Sequence, residues 1–176
     1  FHEIEKEIKE MNPNAFNNFD EKLVIGENDS YIASLIRSDL VEDFVVFVNK
    51  NINFSLESFI EASIFETNSL LLKRKPKLIE YAAFFGSIQI FQYLLLNNVE
   101  LDSILWIYAI HGNNPEIIHL LESNKISPPN NSFEVCLKEA IKCHHNDIGR
   151  YILDNLIDQK TNTNTNENSF NDKLFD

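Results

Sequence analysis

Four side chains in the last third of the chain carry residue types that bind zinc or do nucleophilic chemistry: Cys136 and the consecutive Cys143-His144-His145. Zinc takes four S, N or O ligands in a tetrahedron. The surrounding apolar pattern puts Cys136 and Cys143 on one helix, two turns apart. Their sulfurs would share a face but stand roughly 10 Å apart along it. One ion cannot bridge that span without breaking the helix, so no metal site and no cofactor are expected. His144 and His145 fall in the turn that follows. There a His replaces the more usual glycine, and Cys143 packs as a small apolar residue.

His111 and His119 are eight apart, across a turn rather than along a helix. His119, within Ile-Ile-His-Leu-Leu, is an outward position on a second helix. His111 is a candidate contact to a partner, with a helix-end hydrogen bond as its alternative. His111, His144 or His145 could each serve as a general base, but no nucleophile motif stands near them. The chain has no Gly-x-Gly-x-x-Gly, Gly-x-x-x-x-Gly-Lys, Gly-x-Ser-x-Gly or His-Glu-x-x-His. Lys73-Arg74-Lys75-Pro76-Lys77 resembles a nuclear-import string, although such runs are common in solvated loops.

Composition narrows the function classes. The net charge of −12 and pI near 4.8 oppose binding to a phosphate backbone, which needs clustered Lys and Arg. No apolar run reaches the ~18 residues of a membrane span. Two cysteines without a leader indicate a reducing, cytoplasmic setting. The chain opens on Phe1 and reads as a trimmed piece of something longer. Four Gly and five Pro in 176 residues are too few for an all-β fold with many tight turns.

The elements that must position these side chains repeat. Small residues Ala82, Ala109 and Ala140 are each followed eight positions later by Ile90, Ile117 and Ile148, at intervals of 27 and 31 residues. A fixed internal spacing at such periods marks stacked helix-turn-helix units, here at about 77–104, 105–131 and 132–157. A fainter copy starts at Ser30, with Ala33 eight before Val41 and Asp39 capping the second helix of its own unit. The β-branched run Val45-Val46-Phe47-Val48 is read as helix. Residues 55–72 form a degenerate unit with a helix start at Ser55, and Pro76 opens the next helix. Upstream, residues 1–11 form a helix ended by Asn12-Pro13-Asn14, and 15–29 form a polar loop. Asn-rich loops at 97–98, 124 and 130–131 supply residues that tolerate the left-handed conformation. Pro115 and Asn146-Asp147 open second helices. The Thr-Asn tail at 161–168 buries nothing and reads as disordered.

The segment Ala82-Ala83-Phe84-Phe85-Gly86 through Leu94-Leu95-Leu96-Asn97-Asn98 to Asp102 resembles an ankyrin repeat, from paired alanines to closing loop. Ala109–Ile126 and Ala140–Leu156 are similar but weaker. The strings Ser63–Asn68, Ile107–Glu116 and Ile141–Ile148 resemble an uncharacterised, expanded ankyrin subfamily of unicellular eukaryotes. The Thr-Pro-Leu-His tetrad is absent and most loop glycines are gone.

The expected fold is therefore all-α: an ankyrin-like helical-repeat solenoid with short or absent β-hairpins. It comprises an N-terminal helix and loop (1–29), a repeat domain (30–157) and a tail (158–176). The resemblance implies non-enzymatic binding of another protein; charge and the short apolar runs argue against nucleic acid and membrane as partners, and a monomer is expected. A structural spacer and a helical scaffold with a histidine base are the alternatives. Positions two and three after each small residue are the candidate contacts: Leu35, Ile36, Phe84, Phe85, His111, Gly112, Lys142 and Cys143; for Leu35, Ile36, Phe84 and Phe85 a place in the core is the equal alternative.

Overall fold

Residues 18–157 are described by the computed structural model. Among them are ten α-helices: α1 (Phe19–Ile25), α2 (Tyr31–Arg37), α3 (Val41–Lys50), α4 (Ser69–Lys73), α5 (Leu78–Phe84), α6 (Ile88–Leu96), α7 (Leu105–Gly112), α8 (Pro115–Ser123), α9 (Phe133–Lys142) and α10 (Asn146–Tyr151). A 3-10 turn at Pro129–Asn131 precedes α9, and a π-helical turn, Ile152–Ile157, extends α10. Extended pairing among the described residues is an isolated bridge between Phe59 and Lys77. The described chain is thus all-α. The helix expected over 1–11, the break at 12–14 and the tail from 158, with Phe170, Leu174 and Phe175, lie outside the described residues.

Four antiparallel pairs, α2/α3, α5/α6, α7/α8 and α9/α10, set up two rows. In the first, α2 packs on α5, α5 on α7, and α7 on α9; in the second, α3 packs on α6 and α6 on α8. The core lies between the rows. Ile36, Ala82, Ala83, Ala109 and Ile110 enter it from the first row, and Phe44, Phe91, Leu94 and Leu121 from the second, all fully buried. Small residues at Ala82, Ala109 and Ala140 let neighbouring helices approach closely, while each fully buried large aliphatic or aromatic side chain contributes about 1.5–3 kcal/mol.

One reversal joins the helices of every pair. The backbone N–H of Asp39, Gly86, Asn113 and His144 donates to the carbonyl of Ile36, Ala83, Ile110 and Ile141 respectively. The four turn residues sit at φ 50, 67, 49 and 59°. Gly, Asn, Asp and His are the types that tolerate this left-handed region best, so His144 is a backbone choice, as its place in the turn implied. Aligning the reversals puts Leu35 level with Ala82, Ala109 and Ala140. The register based on Ala33 is therefore two residues out. Ala33 and Leu35 are both buried, so size alone does not separate them; the left-handed turn at Asp39 does.

Asp39 also corrects an expectation. Its carboxylate accepts the backbone N–H groups of Gln89 (3.0 Å) and Ile90 (2.9 Å). It caps α6, in the following pair, and not α3, whose N-cap is Leu40 with no side-chain bond. Two further polar ties cross between pairs: Ser87 Oγ donates to the Ile36 carbonyl (2.6 Å), and Asn114 Nδ2 to the Gly86 carbonyl (2.9 Å). Pro115 does open α8, with Asn114 as its cap.

Two other expectations fail. Residues 15–29 contain a helix, α1, closed by Gly26 at φ 70°. None of its residues is buried, so it left no strong apolar stripe to read. Residues 55–72 form no helix pair and no helix starts at Ser55. Here the backbone bonds elsewhere: Ile60 N–H to the Pro76 carbonyl, Leu78 N–H to Ser58, and Thr67 N–H to Gly26. Pro76 has a paired carbonyl and precedes the N-cap of α5, Lys77. Ile60, Phe65 and Leu71 still reach the core, whereas Ile64 is 79% exposed.

Candidate functional site

The corrected register defines a row along the first helices. Two and three positions after the aligned small residue stand Arg37 and Ser38, Phe84 and Phe85, His111 and Gly112, Lys142 and Cys143. Leu35 and Ile36, expected in this row, are 3% and 0% exposed. They belong to the core and cannot meet a partner; Arg37 and Ser38 take their place.

The side chains of the row interlock. The Arg37 guanidinium lies 5.9 Å over the Phe85 ring. It also donates to the Tyr81 hydroxyl (2.9 Å) and the Asn28 carbonyl (2.7 Å), and pairs with Glu27. Phe85 meets Phe84 edge-on, with centroids 5.0 Å apart. Phe84 stacks on His111 at 5.2 Å and 22°. His111 Nε2 is 3.0 Å from Glu139 Oε1, and Lys142 Nζ donates to Glu139 Oε2 at 2.9 Å. Cys143 Sγ is 3.7 Å from both ring nitrogens of His111, a position over the ring face. Aromatic and charged groups thus form one connected row from α2 to α9, each fixed by a neighbour.

Gly112 has a packing role. A Cβ there would lie 2.1 Å from the Ala83 carbonyl oxygen and 2.8 Å from Gly86 N. Glu139 is the residue that sequence reasoning missed. Its signal was the spacing to Lys142 and Cys143, three and four residues on, which puts all three on one helix face. Burial raises the Glu139 carboxyl, but hydrogen bonds from Lys142 and His111 outweigh it and hold it below the usual range. The Cys143 thiol is pushed up by burial and by the Glu139 charge. Cys136 lies in the core, its thiol raised to about 12 by burial. His144 is exposed in its turn, and His145 is half-buried at the start of α10.

On the second row, the Tyr151 hydroxyl donates to Glu122 and lies 3.3 Å from His119 Nδ1. Burial, then the Glu122 bond and charge, raises that hydroxyl to about 12. The basic string is largely ion-paired: Arg74 with Glu80 (2.7 Å), Lys75 with Glu61 (2.7 Å), and Lys77 with Glu57 and Glu100 (both 3.1 Å). Beyond α9, a cleft of about 430 Å³ is lined by Leu137, Ile141, His145 and Leu153 among others. Ile141 is 60% exposed there, whereas Ala83 and Ile110, its counterparts, are fully buried.

Glu80 supplies a pH signature. It is 1% exposed and accepts from Arg74 and the Lys77 backbone N–H. Burial raises its carboxyl above the usual range, against the pull of Lys77 and Arg74. A raised folded pKa means that the native state binds the proton first, so stability rises as pH falls from neutral through that raised range. Glu57, Asp29 and Glu139 are lowered. Their contribution is present above the ordinary carboxyl range and is lost as pH falls through their lowered pKa values. Denaturant titrations should therefore find a shallow stability gain on mild acidification before the acid loss. Glu80→Gln should remove the gain and leave the loss; a gain of unchanged size in that variant would assign it elsewhere.

Compared with known proteins, the chain matches no family model, no curated protein and no solved structure significantly. No helix among the described residues is long and apolar enough to cross a membrane.

Proposed function

We propose that this chain is a non-enzymatic protein-interaction module: an ankyrin-like array of helix pairs that presents the row Arg37, Phe85, Phe84, His111 and Lys142 to another protein. The observation that carries the reading is the row itself, running across four successive first helices. Arginine and aromatic side chains dominate protein interfaces, and here their neighbours already hold them, so little ordering entropy is lost on binding. The net charge of −12 favours encounter with a basic partner surface. The proposed setting is cytoplasmic, with the protein acting as a monomer.

The histidine-base alternative has little support in the side chains around His111. The nucleophile type within reach there is the Cys143 thiol, which burial and Glu139 push away from the reactive thiolate. A spacer role would leave the row without a task.

The test is capture from a lysate by the full-length chain, followed by mass spectrometry. His111→Ala and Lys142→Ala together should weaken capture of the partner so found, with helicity retained. Gln92→Ala with His119→Ala, on the second row, should not. Loss of capture through the second-row pair alone would make the opposite face the working surface, and the absence of any specific partner would favour the spacer.

A further inference from the structure

We propose that His111, Glu139 and Cys143 form a metal site of the zinc class, tying α7 to α9 and leaving a fourth coordination position open. The inference does not depend on the protein-binding reading.

Three observations carry it. The first is convergence. A ring nitrogen, a carboxylate oxygen and a sulfur from these residues all lie within 4.8 Å of one another. Tetrahedral zinc, with Zn–N and Zn–O near 2.0–2.1 Å and Zn–S near 2.3 Å, separates N from S by roughly 3.6 Å and N from O by roughly 3.3 Å. Here Cys143 Sγ stands 3.7 Å from His111 Nε2, and Glu139 Oε1 stands 3.0 Å from it. Two sides of the ligand triangle are therefore already near the size an ion would impose, and the third lies within 4.8 Å.

The second is how the triangle is held. Glu139 and Cys143 are four residues apart at the end of α9, so one helix face presents both. His111 comes from the last turn of α7, which packs directly against α9. The close backbone approach at Gly112 keeps α7 in place.

The third is donor chemistry. One imidazole, one thiolate and one carboxylate suit zinc better than magnesium or calcium, which take oxygen. Carboxylate and thiolate together neutralise a dication. All three side chains are half-buried, so an ion there would be partly dehydrated and the fourth position would face outward.

Binding needs two local changes. Lys142 must release Glu139 Oε2; its side chain is 71% exposed and free to turn outward. The His111 ring must turn and carry its proton on Nδ1, giving up the Nε2–Glu139 hydrogen bond, so that the Nε2 lone pair, rather than the ring face, meets the ion. The thiol gives its proton to solvent as the sulfur coordinates. The Cys136, His144 and His145 side chains take no part.

The experiment uses the reduced, metal-stripped full chain. Calorimetric titration with zinc chloride should show one ion per chain. Cobalt(II), used as a spectroscopic probe, should give a thiolate-to-metal charge-transfer band. His111→Ala and Cys143→Ser should each weaken zinc binding about tenfold or more, since losing a direct ligand costs at least as much as losing an outer-shell partner, and Cys143→Ser should abolish the cobalt band. Zinc should also raise the melting temperature of the wild type, because it binds only the assembled helices. Cys136→Ala and the double change His144→Ala/His145→Ala should leave binding intact. Cys143→Ser swaps sulfur for oxygen at nearly constant size, so it stays folded and keeps the test decisive. Absence of saturable zinc binding at micromolar concentrations would overturn the proposal. So would binding that survives Cys143→Ser but is lost with His144 and His145. In either case His111, Glu139 and Cys143 are a hydrogen-bonded tie between two helices.

Discussion

Gly112→Ala is expected to destabilise the protein by about 3 kcal/mol or more, at the upper end of the overpacking range. The sign is informative because helix propensity points the other way. Gly112 is the last residue of α7, and in an exposed helix interior alanine would gain up to ~1 kcal/mol over glycine. Here the new Cβ would meet the Ala83 carbonyl oxygen at 2.1 Å, Gly86 N at 2.8 Å and Gly86 Cα at 3.1 Å. All three are backbone atoms, so no rotamer change relieves the contact. α5 and α7 must separate, and the fully buried Ala82, Ala83, Ala109 and Ile110 between them lose packing. A shift of 3 kcal/mol corresponds to roughly 6–12 °C in melting temperature for a chain of this size. Thermal unfolding followed by circular dichroism reads it. A melting temperature that holds or rises would mean that α5 and α7 do not approach as described.

Trp106→Ala should cost about 3–5 kcal/mol, the usual loss for a large aromatic in a core. Trp106 is fully buried, meets Phe133 edge-on with centroids 5.0 Å apart, and donates from Nε1 to the Ile126 carbonyl at 2.8 Å. Truncation therefore opens a cavity between α7 and α9 and leaves a carbonyl without its donor. Typical total stability is about 5–15 kcal/mol, so at the low end of that range the loss populates the unfolded state at ambient temperature. Trp106→Phe should lose less, since the ring volume is partly kept while the hydrogen bond is gone. Urea unfolding of both variants gives the comparison. A loss below about 1 kcal/mol for the alanine variant would remove Trp106 from the core.

The parts of the fold that could be read beforehand are those where apolar periodicity and chain reversal coincide. Ala82 to Ile90 and Ala109 to Ile117 bracket a helix end, a left-handed residue and a new helix start, and all three signals agree. In the first pair they disagree. Ala33 looks like the small residue, but the hydrogen-bonded turn at Asp39 sets the alignment two residues later, and a Leu fills the alanine position. That slip placed Leu35 and Ile36 on the surface and hid Arg37. Residues 55–72 carry apolar residues at helical density, yet their backbone bonds to distant segments at Gly26 and Pro76, and no local pattern encodes such partners. The site was legible one residue at a time. His111 and Lys142 were visible as polar positions in register. Glu139 was not, because its meaning comes from His111 on another helix, 28 positions earlier.

Asp39 holds the second and third amides of α6 from fifty residues away. The second pair therefore borrows part of its helix start from the first. If α2 and α3 melted alone, Gln89 and Ile90 N–H would lose their acceptor, and α6 would fray from its beginning. With Ser87 bound to the Ile36 carbonyl and Asn114 to Gly86, each pair in turn secures the next. The pairs are thereby expected to unfold in larger cooperative blocks, and a truncation that removed the first pair would shorten a helix that it never touched in sequence.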